Sequence, residues 1–189
     1  MQNYDVIVIG GGHAGIEAAL ASARMGSKTL LMTLSRDTIG LMSCNPAIGG
    51  VGKGQLVKEI DALGGQMAKA TDACGIQFRI LNASKGLAAQ SSRAQVDMDQ
   101  YKRYMQNILK GQENLFIKET EAKEIMVRDN RVKGVLTADN EEIASACVVI
   151  SPGTFLDGLI HVGLKHFSAG RINEPAACDL SADLKESGF

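Results

Sequence analysis

A strand, a glycine-rich turn, a helix and a second strand follow one another within the first 33 residues, and this order constrains the fold of the 189-residue chain more than any other feature. Tyr4–Ile9 is a nearly continuous run of β-forming residues, which is typical of a buried parallel strand. The pattern from His13 to Met25 predicts a helix that Gly26 ends, and Lys28–Met32 predicts the second strand. Such a βαβ unit is typical of dinucleotide-binding proteins.

The turn of this unit has the spacing G-x-G-x-x-G at Gly10, Gly12 and Gly15. The first glycine permits the tight turn, the second lets a pyrophosphate approach the backbone, and the third allows the helix to pack closely on the strand. We therefore predict that the pyrophosphate is bound by Gly10, Gly11, Gly12, His13, Ala14 and Gly15. For His13 a capping or packing role is an equal alternative. A glycine turn without a ligand is the alternative for the motif as a whole.

The second strand ends in Thr33, where this kind of site normally has an acid that binds the ribose hydroxyls. Thr33 offers a single hydroxyl. We expect nucleotide binding with a weaker ribose anchor, and this disfavours an NAD-specific site.

The order of the later elements favours FAD over NAD. A long excursion follows the second strand, then a three-stranded meander, then a strand that ends at Pro152-Gly153-Thr154. This order resembles the FAD domain of the glutathione-reductase type, an α/β Rossmann-like fold with a β-meander crossover. In that fold the final glycine turn, here Gly153, returns beside the flavin, and a residue after Phe116 contacts the adenine through its backbone. Ala122 is the candidate for that contact.

After residue 33 the sequence predicts two irregular segments and a series of helices and strands. Thr33–Gly54 is predicted as a loop, and Asn82–Gln95 as polar and irregular. Two helices are predicted, followed later by a short third one, and strands lie before and between them. The predicted helices are Gln55–Leu63, Asp97–Lys110 and Leu180–Glu186; the predicted strands are Ile76–Leu81, Leu115–Ile117, Glu124–Arg128, Val132–Thr137 and Ala146–Ile150.

A glycine-rich loop, S-C-N-P-A-I-G-G-V-G-K-G from Ser43 to Gly54, carries a cysteine. It is not a P-loop, because Ala47 occupies the first glycine position and Gly54 follows the lysine where Ser or Thr should bind magnesium. Cys44 is a candidate nucleophile, since Lys53 or a helix N-terminus could favour its thiolate. A small buried apolar residue is the alternative, and it is our expectation for Cys74, Cys147 and Cys178.

Composition excludes several classes of protein. The four cysteines form no C-x-x-C pair and have no histidine at ligand spacing, so we expect neither disulfides nor a metal site. No apolar run approaches the roughly 20 residues of a membrane span, and a strand begins too early for a signal or transit peptide. We expect a cytoplasmic protein. The net charge of -1 means that any RNA binding must rest on a local patch or on further chain.

Four segments carry a family resemblance over nearly the whole chain. They are the Ser43–Gly54 loop continued to Gly65, F-R-I-L-N-A-S-K-G at Phe78–Gly86, R-A-Q-V-D at Arg93–Asp97 and G-T-F-L-D-G at Gly153–Gly158. Together they resemble the MnmG family, also called GidA. A generic flavoprotein would not share the Cys44 loop.

The resemblance implies an FAD enzyme that installs an aminomethyl or carboxymethylaminomethyl group at C5 of the wobble uridine of certain tRNAs. It further implies methylenetetrahydrofolate as carbon donor, NADH as reductant, an MnmE-type GTPase partner and a homodimer. Members of the family have an important cysteine at the position of Cys44. They often have Ser near the flavin nucleotide at the position of Ala177, where this chain has lost the side-chain hydrogen bond.

Members are longer than 189 residues, so we expect this chain to be an N-terminal fragment that alone is inactive. Its predicted segments are a nucleotide unit at 1–33, inserted loop and helices at 34–112, meander and return strand at 113–154, and the start of the next segment at 155–189. A cationic patch of Arg79, Lys85, Arg93, Lys102 and Arg103 could bind phosphate or be an ordinary solvated face. Another FAD oxidoreductase and a non-catalytic tRNA- or partner-binding module are the alternative functions.

Overall fold

A computed structural model describes residues 2–42 and 45–188. Its strands and helices, in chain order, are β1 Gln2–Ile9, α1 His13–Arg24, β2 Thr29–Thr33, β3 Ala47–Gly49, α2 Lys53–Ala62, α3 Met67–Cys74, β4 Gly75–Leu81, β5 Ser91–Val96, α4 Met98–Gly111, β6 Leu115–Glu119, β7 Ala122–Arg128, β8 Arg131–Thr137, β9 Glu142–Ile150, β10 Leu159–Val162, β11 Lys165–Ser168 and α5 Asp179–Glu186.

The chain divides into two compact units. Unit 1 consists of Met1–Asp37 and Glu113–Phe189, and unit 2 of Thr38–Gln112. Unit 2 lies within the segment 34–112 that the sequence interpretation set apart, and residues 34–37 belong to unit 1. No helix in the described ranges is long and apolar enough to cross a membrane.

Unit 1 is built on a six-stranded sheet with the order β6-β2-β1-β9-β8-β7. The strands β6, β2, β1 and β9 are parallel to one another, and β7, β8 and β9 form an antiparallel meander. The predicted α/β class, with a Rossmann-like sheet and a meander crossover, is confirmed. The sequence interpretation was wrong in placing Leu115–Ile117 in the meander. That segment pairs in parallel with β2 at the opposite edge, because the meander's third strand is β9.

The apolar run of β1 is buried on both faces, as the sequence predicts for a central parallel strand. Ile7 and Val8 are fully buried, and period-two alternation directs them to opposite faces. Helix α1 packs on β1 and β2 and buries Ile16 and Leu20. On the other face the core cluster joins β1 and β2 to the meander and to Leu180 of α5.

Unit 2 contains a three-stranded antiparallel sheet with the order β3-β5-β4, together with α2, α3 and α4. The amphipathic pattern predicted for α4 buries Tyr101, Met105 and Leu109, while Tyr104 and Ile108 are half-buried. Asp97 caps this helix, because its Oδ1 accepts a 2.8 Å hydrogen bond from the Gln100 N–H.

The sequence interpretation missed five elements. The predicted loop contains β3, and the predicted irregular segment contains β5, whose polar sequence S-S-R-A-Q-V is stabilised by pairing with β3 on one side and β4 on the other. Helix α3 was missed although Met67, Ala70, Thr71 and Cys74 have helical spacing and are buried. The hairpin of β10 and β11 was also missed.

Candidate nucleotide site and a charged cleft

Four parallel strands of unit 1 end at one edge of the sheet. The last residue of β1, Ile9, pairs with Met32 of β2 and with Ile150 of β9. Thr33, the last residue of β2, pairs with Glu119, the last residue of β6. In open α/β sheets, ligands bind outside the carboxyl ends of the strands. This edge is therefore the expected ligand side of unit 1.

The glycine turn fills this edge so tightly that side chains are excluded at two positions. Gly10 has a φ of 112°, which favours glycine, and a Cβ there would collide with the Ser151 carbonyl oxygen. A Cβ on Gly15 would collide with the Gly10 carbonyl oxygen. The Ser151 N–H and hydroxyl both donate to the Ile9 carbonyl, at 2.8 and 2.9 Å. The roles predicted for these two glycines thus agree with the close packing of β1, α1 and the end of β9.

Gly12 differs from its neighbours, because a Cβ placed on it would meet no heavy atom within 4 Å. It is the N-cap of α1, and in the described part of the chain no side chain caps that helix or puts an acid into its first turn. Free backbone N–H groups and the helix dipole make such an end favourable for a phosphate. Open space beside Gly12 fits the pyrophosphate predicted there. His13 begins the helix and Ala14, next to it, is exposed.

The end of β2 departs from the sequence expectation in one respect. Thr33 is 6% exposed, and its hydroxyl donates to the Ser35 carbonyl at 3.1 Å. The hydroxyl proton is thus bound to the chain itself rather than directed to a ligand. Nearby, the Thr120 N–H donates to the Thr33 carbonyl at 2.9 Å. The Thr120 hydroxyl is buried and has no hydrogen-bond partner among the described residues.

Ala122, the predicted adenine contact, is the first residue of β7 and follows β6 by three positions. It is buried and belongs to the core cluster that also contains Leu30 and Met32 of β2. Its backbone contact with the adenine stays a prediction. In the same segment, burial and then the charge of Asp179 raise the pKa of Glu121.

Gly153 and Ala177 lie in the segment that follows β9. Gly153 has a φ of 59° and open space around a Cβ, at the start of a 3-10 turn. Ala177 is buried, and its backbone is fully engaged: its N–H donates to the Phe155 carbonyl at 2.8 Å, and its carbonyl accepts from the Asp157 N–H at 3.0 Å. The structure therefore gives Ala177 a clear role in holding this segment, and its contact with a flavin stays a prediction.

Unit 2 has its own concave feature, a cleft of about 440 Å³ between α2, α3 and the sheet. Its lining is largely apolar, with Val57, Ala68 and Ala94, and it includes the ionisable residues Lys58, Asp72, Arg79 and Arg93. Arg79 lies directly opposite Arg93 across the β4–β5 pair. Like charges in that position are unfavourable, so an anion bound there would be stabilising.

The loop with the candidate nucleophile is described only in part, since Ser43 and Cys44 lie outside the described residues. Lys53 begins α2, and its Nζ donates to the Ala47 carbonyl at 3.2 Å. Desolvation lowers the pKa of Lys53, because removal from water disfavours the ammonium form.

The remaining cysteines do not share one environment. Cys74 is buried as expected, and burial followed by the charge of Asp97 raises its thiol pKa. Cys147 and Cys178 are exposed, so the expectation that they are buried apolar residues was wrong. Within the described residues no group of three or more His, Cys, Asp or Glu could bind a metal ion.

The parallel sheet, the glycine turn and the open space beside the α1 N-terminus define a dinucleotide-binding protein of the Rossmann type. The chain belongs to the family described as Glucose inhibited division protein A, whose model matches residues 5–189. It is 58% identical over 183 residues to a Campylobacter fetus protein named tRNA uridine 5-carboxymethylaminomethyl modification enzyme MnmG, covering 97% of this chain and 30% of that protein. A Wolinella succinogenes protein of the same name is 54% identical, with 100% and 30% covered.

Solved structures agree with this assignment. GidA from Aquifex aeolicus superimposes with a TM-score of 0.95 at 53% identity, covering 100% of this chain and 31% of that one. The GidA-related protein of Thermus thermophilus has a TM-score of 0.71 at 22% identity, over 98% and 69% of the two chains, and shows a shared fold. The chain spans about a third of the length of the relatives with the same family name. The predicted resemblance to the MnmG/GidA family is confirmed.

Proposed function

We propose that this chain is the FAD-binding part of an enzyme that modifies the wobble uridine of tRNA. The observation that carries the proposal is the identity of 54–58% to proteins named tRNA uridine modification enzymes, combined with a nucleotide edge whose open space and uncapped helix end fit a pyrophosphate. FAD is the dinucleotide proposed, since the meander crossover resembles the FAD domain of the glutathione-reductase type.

The residues of the chain would divide the work as follows. The turn from Gly10 to Gly15 binds the pyrophosphate through backbone N–H groups, and Ala122 contacts the adenine. Gly153 and Ala177 belong to the segment that would lie beside the flavin nucleotide. FAD, when bound, supplies the redox chemistry of the one-carbon unit. Cys44 would add to the uracil ring as a thiolate and make C5 nucleophilic.

The finer chemistry follows the family resemblance and remains proposed. It comprises methylenetetrahydrofolate as the carbon donor, NADH as the reductant and an aminomethyl or carboxymethylaminomethyl product. The MnmE-type GTPase partner, the homodimer and the cytoplasmic location belong to the same set of predictions. The cleft of unit 2, with its opposed arginines, is a candidate contact for tRNA phosphates.

Mass spectrometry of nucleosides from total tRNA tests the function. In cells that lack the gene encoding this chain, we expect the C5-aminomethyl-type uridines to disappear, and the restored gene should bring them back. An unchanged nucleoside profile would favour the alternative of another FAD oxidoreductase. Modified uridines that depend on the gene although its purified product binds no flavin would favour the non-catalytic tRNA-binding module.

A Cys44→Ser variant tests the nucleophile separately. We expect unchanged flavin content and a modification rate lowered by at least about 100-fold, since a hydroxyl does not replace a thiolate in this role. Cys147→Ser is the matched control, because this exposed thiol lies on β9 in unit 1. Full activity of the Cys44→Ser protein would remove Cys44 from the mechanism.

A further inference from the structure

The nucleotide edge of unit 1 needs an acid that β2 does not supply. Dinucleotide folds of this type bind the adenosine ribose hydroxyls with a carboxylate near the end of the second strand. Here that position is Thr33, a buried residue whose hydroxyl donates to the chain itself. A hydroxyl also lacks the two acceptor oxygens with which a carboxylate binds the two hydroxyls of a ribose. The ribose anchor therefore has to come from elsewhere.

Glu119 ends the neighbouring strand at the same level of the sheet. It is the register partner of Thr33 in the parallel β2–β6 pair, and paired strands lie about 4.8 Å apart. Its Oε2 accepts a 2.7 Å hydrogen bond from the Arg36 N–H, in the turn that follows β2. The Glu119 side chain thus reaches from β6 across the end of β2 to the chain that continues β2.

The turn that Glu119 contacts is held in a second place. The Arg36 Nη2 donates to the Ile117 carbonyl of β6 at 2.6 Å. This bond and the one to Glu119 tie the turn to β6 from both the side chain and the main chain of Arg36. The carboxylate is consequently held at the edge of the sheet, and no ligand is required to order it.

The Glu119 carboxylate also has capacity to spare. A carboxylate offers about four acceptor sites, and the Arg36 N–H uses one of them. Within the described ranges, Oε1 has no hydrogen-bond partner and no cation forms an ion pair with Glu119. The residue is exposed. Oε1 of Glu119 is therefore an unused acceptor, in ion-pair contact with no cation of the described residues, at the end of β6 beside the end of β2.

We propose that Glu119 is the ribose-binding acid of this protein, supplied by β6 instead of β2. The inference rests on the proposed binding of FAD. The second oxygen of Glu119 accepts hydrogen bonds from the hydroxyls of the adenosine ribose, while the first holds the Arg36 turn in place. The register of β2 and β6 thereby replaces the acid that the β2 sequence lacks.

The test combines altered ligands with altered protein. The product of the gene that encodes this chain is freed of flavin, and the Kd is measured by flavin fluorescence for FAD and for FAD analogues lacking the 2′- or the 3′-hydroxyl of the adenosine ribose. The same set is measured for Glu119→Ala, for Glu119→Gln, which keeps an acceptor for the Arg36 N–H, and for Asp37→Asn, a control acid from the same turn. FMN, which has no adenosine ribose, is the ligand control.

For the unaltered protein we expect at least one missing hydroxyl to weaken binding by about tenfold, the size of one hydrogen bond to a charged acceptor. Glu119→Ala should bind FAD more weakly than the unaltered protein by a similar factor. For this variant, removal of the same hydroxyl from the ligand should cause no further loss of affinity. Glu119→Gln should show a reduced dependence on the hydroxyl, Asp37→Asn should behave like the unaltered protein, and FMN binding should not respond to Glu119.

Several results would overturn the proposal. One is equal affinity of the unaltered protein for FAD and both analogues. Another is a Glu119→Ala protein whose affinity still falls by the full factor when a ribose hydroxyl is removed from FAD, since Glu119 would then act only through the Arg36 turn. If Glu119→Ala fails to fold, the Glu119→Gln variant decides. The proposal is overturned if FAD affinity depends on the ribose hydroxyls as strongly in this variant as in the unaltered protein. Failure of the proposed function gives a different result. If FAD binds with the expected dependence on the ribose hydroxyls while the tRNA nucleosides are unchanged, Glu119 keeps its role and the tRNA function fails. If FAD does not bind, both proposals fail.

Discussion

The nucleotide edge of unit 1 is buried and closely packed, whereas strand β4 of unit 2 has exposed side chains. In unit 1, Ile7 and Leu31 are fully buried and two glycines have no room for a methyl group. In β4, which pairs only with β5 among the described strands, Phe78 is 60% exposed and Arg79 faces Arg93. Substitutions at the tightly packed positions of the first place should act through the fold, and substitutions at the second mainly through the ligand that binds there.

The largest effect should come from Gly15→Ala. Its Cβ would collide with the Gly10 carbonyl oxygen, a backbone atom that cannot move aside without shifting the turn. We expect the free energy of unfolding to fall by about 3 kcal/mol, at the upper end for overpacking, with loss of bound flavin. Thermal unfolding and flavin absorbance measure the two effects.

Gly12→Ala is the matched control, because its Cβ meets nothing within 4 Å. It should leave the melting temperature of the flavin-free protein nearly unchanged and still weaken flavin binding, since the methyl group would take up pyrophosphate space. Full flavin content in the Gly12→Ala protein would mean that the pyrophosphate does not occupy the open space. The proposed difference between Gly15, where packing excludes a methyl group, and Gly12, where the ligand excludes it, would then be wrong.

The cap of helix α4 in unit 2 should give the next largest effect. Asp97→Ala removes the acceptor for the Gln100 N–H at the start of α4, which typically costs about 1 kcal/mol. Asp99→Ala is the control, since Asp99 lies in the first turn of the same helix without being its cap. Denaturant unfolding compares them. Equal losses would show that charge at the helix end matters more than the cap.

The comparison is sharpened by Arg79→Gln in the cleft. Removing one of two opposed cations should raise stability slightly, by about 0.2–0.5 kcal/mol. The same change should weaken tRNA binding and lower the slope of log K against log salt concentration by about one. Lys69→Gln, which changes charge by the same amount outside the cleft lining, should leave the slope unchanged. A slope that is identical in both variants would exclude Arg79 from phosphate contact.

The smallest effect concerns the pH dependence of Glu121. Burial and Asp179 raise its pKa in the folded protein, so the folded state binds more protons than the unfolded one. Stability should therefore fall as pH rises from about the ordinary value of 4.5 to the raised folded value, and stay lower above it. Glu121→Gln should remove this fall. Unfolding curves between pH 4 and 7 that change in parallel for both proteins would contradict it.

Where a local pattern decides the structure, the sequence was a sufficient guide. The G-x-G-x-x-G turn lies between β1 and α1 as predicted, and the amphipathic pattern of α4 buries the expected side of that helix. Both signals are complete within a few residues of chain. Helix α3 also carried such a signal, and it was overlooked between a glycine pair and a strand.

Strand β5 shows where local patterns fail. Its sequence is polar, and its backbone groups find their partners in β3 and β4, which are far apart along the chain. Segment 115–119 shows the same limit, because its short apolar pattern fits a meander strand as well as a parallel partner of β2. Pairing between distant strands depends on tertiary packing, which no local window contains.

The sequence by itself determined the nucleotide turn, the class of fold and the family, because glycine spacing and long ordered motifs are properties of the chain alone. Only the tertiary structure decided that β6 pairs with β2 in a register that sets Glu119 beside Thr33. It also decided that Arg79 stands opposite Arg93. Both juxtapositions join residues that are separated in the chain and meet through strand pairing, and strand pairing is where the chemistry beyond the motifs arises.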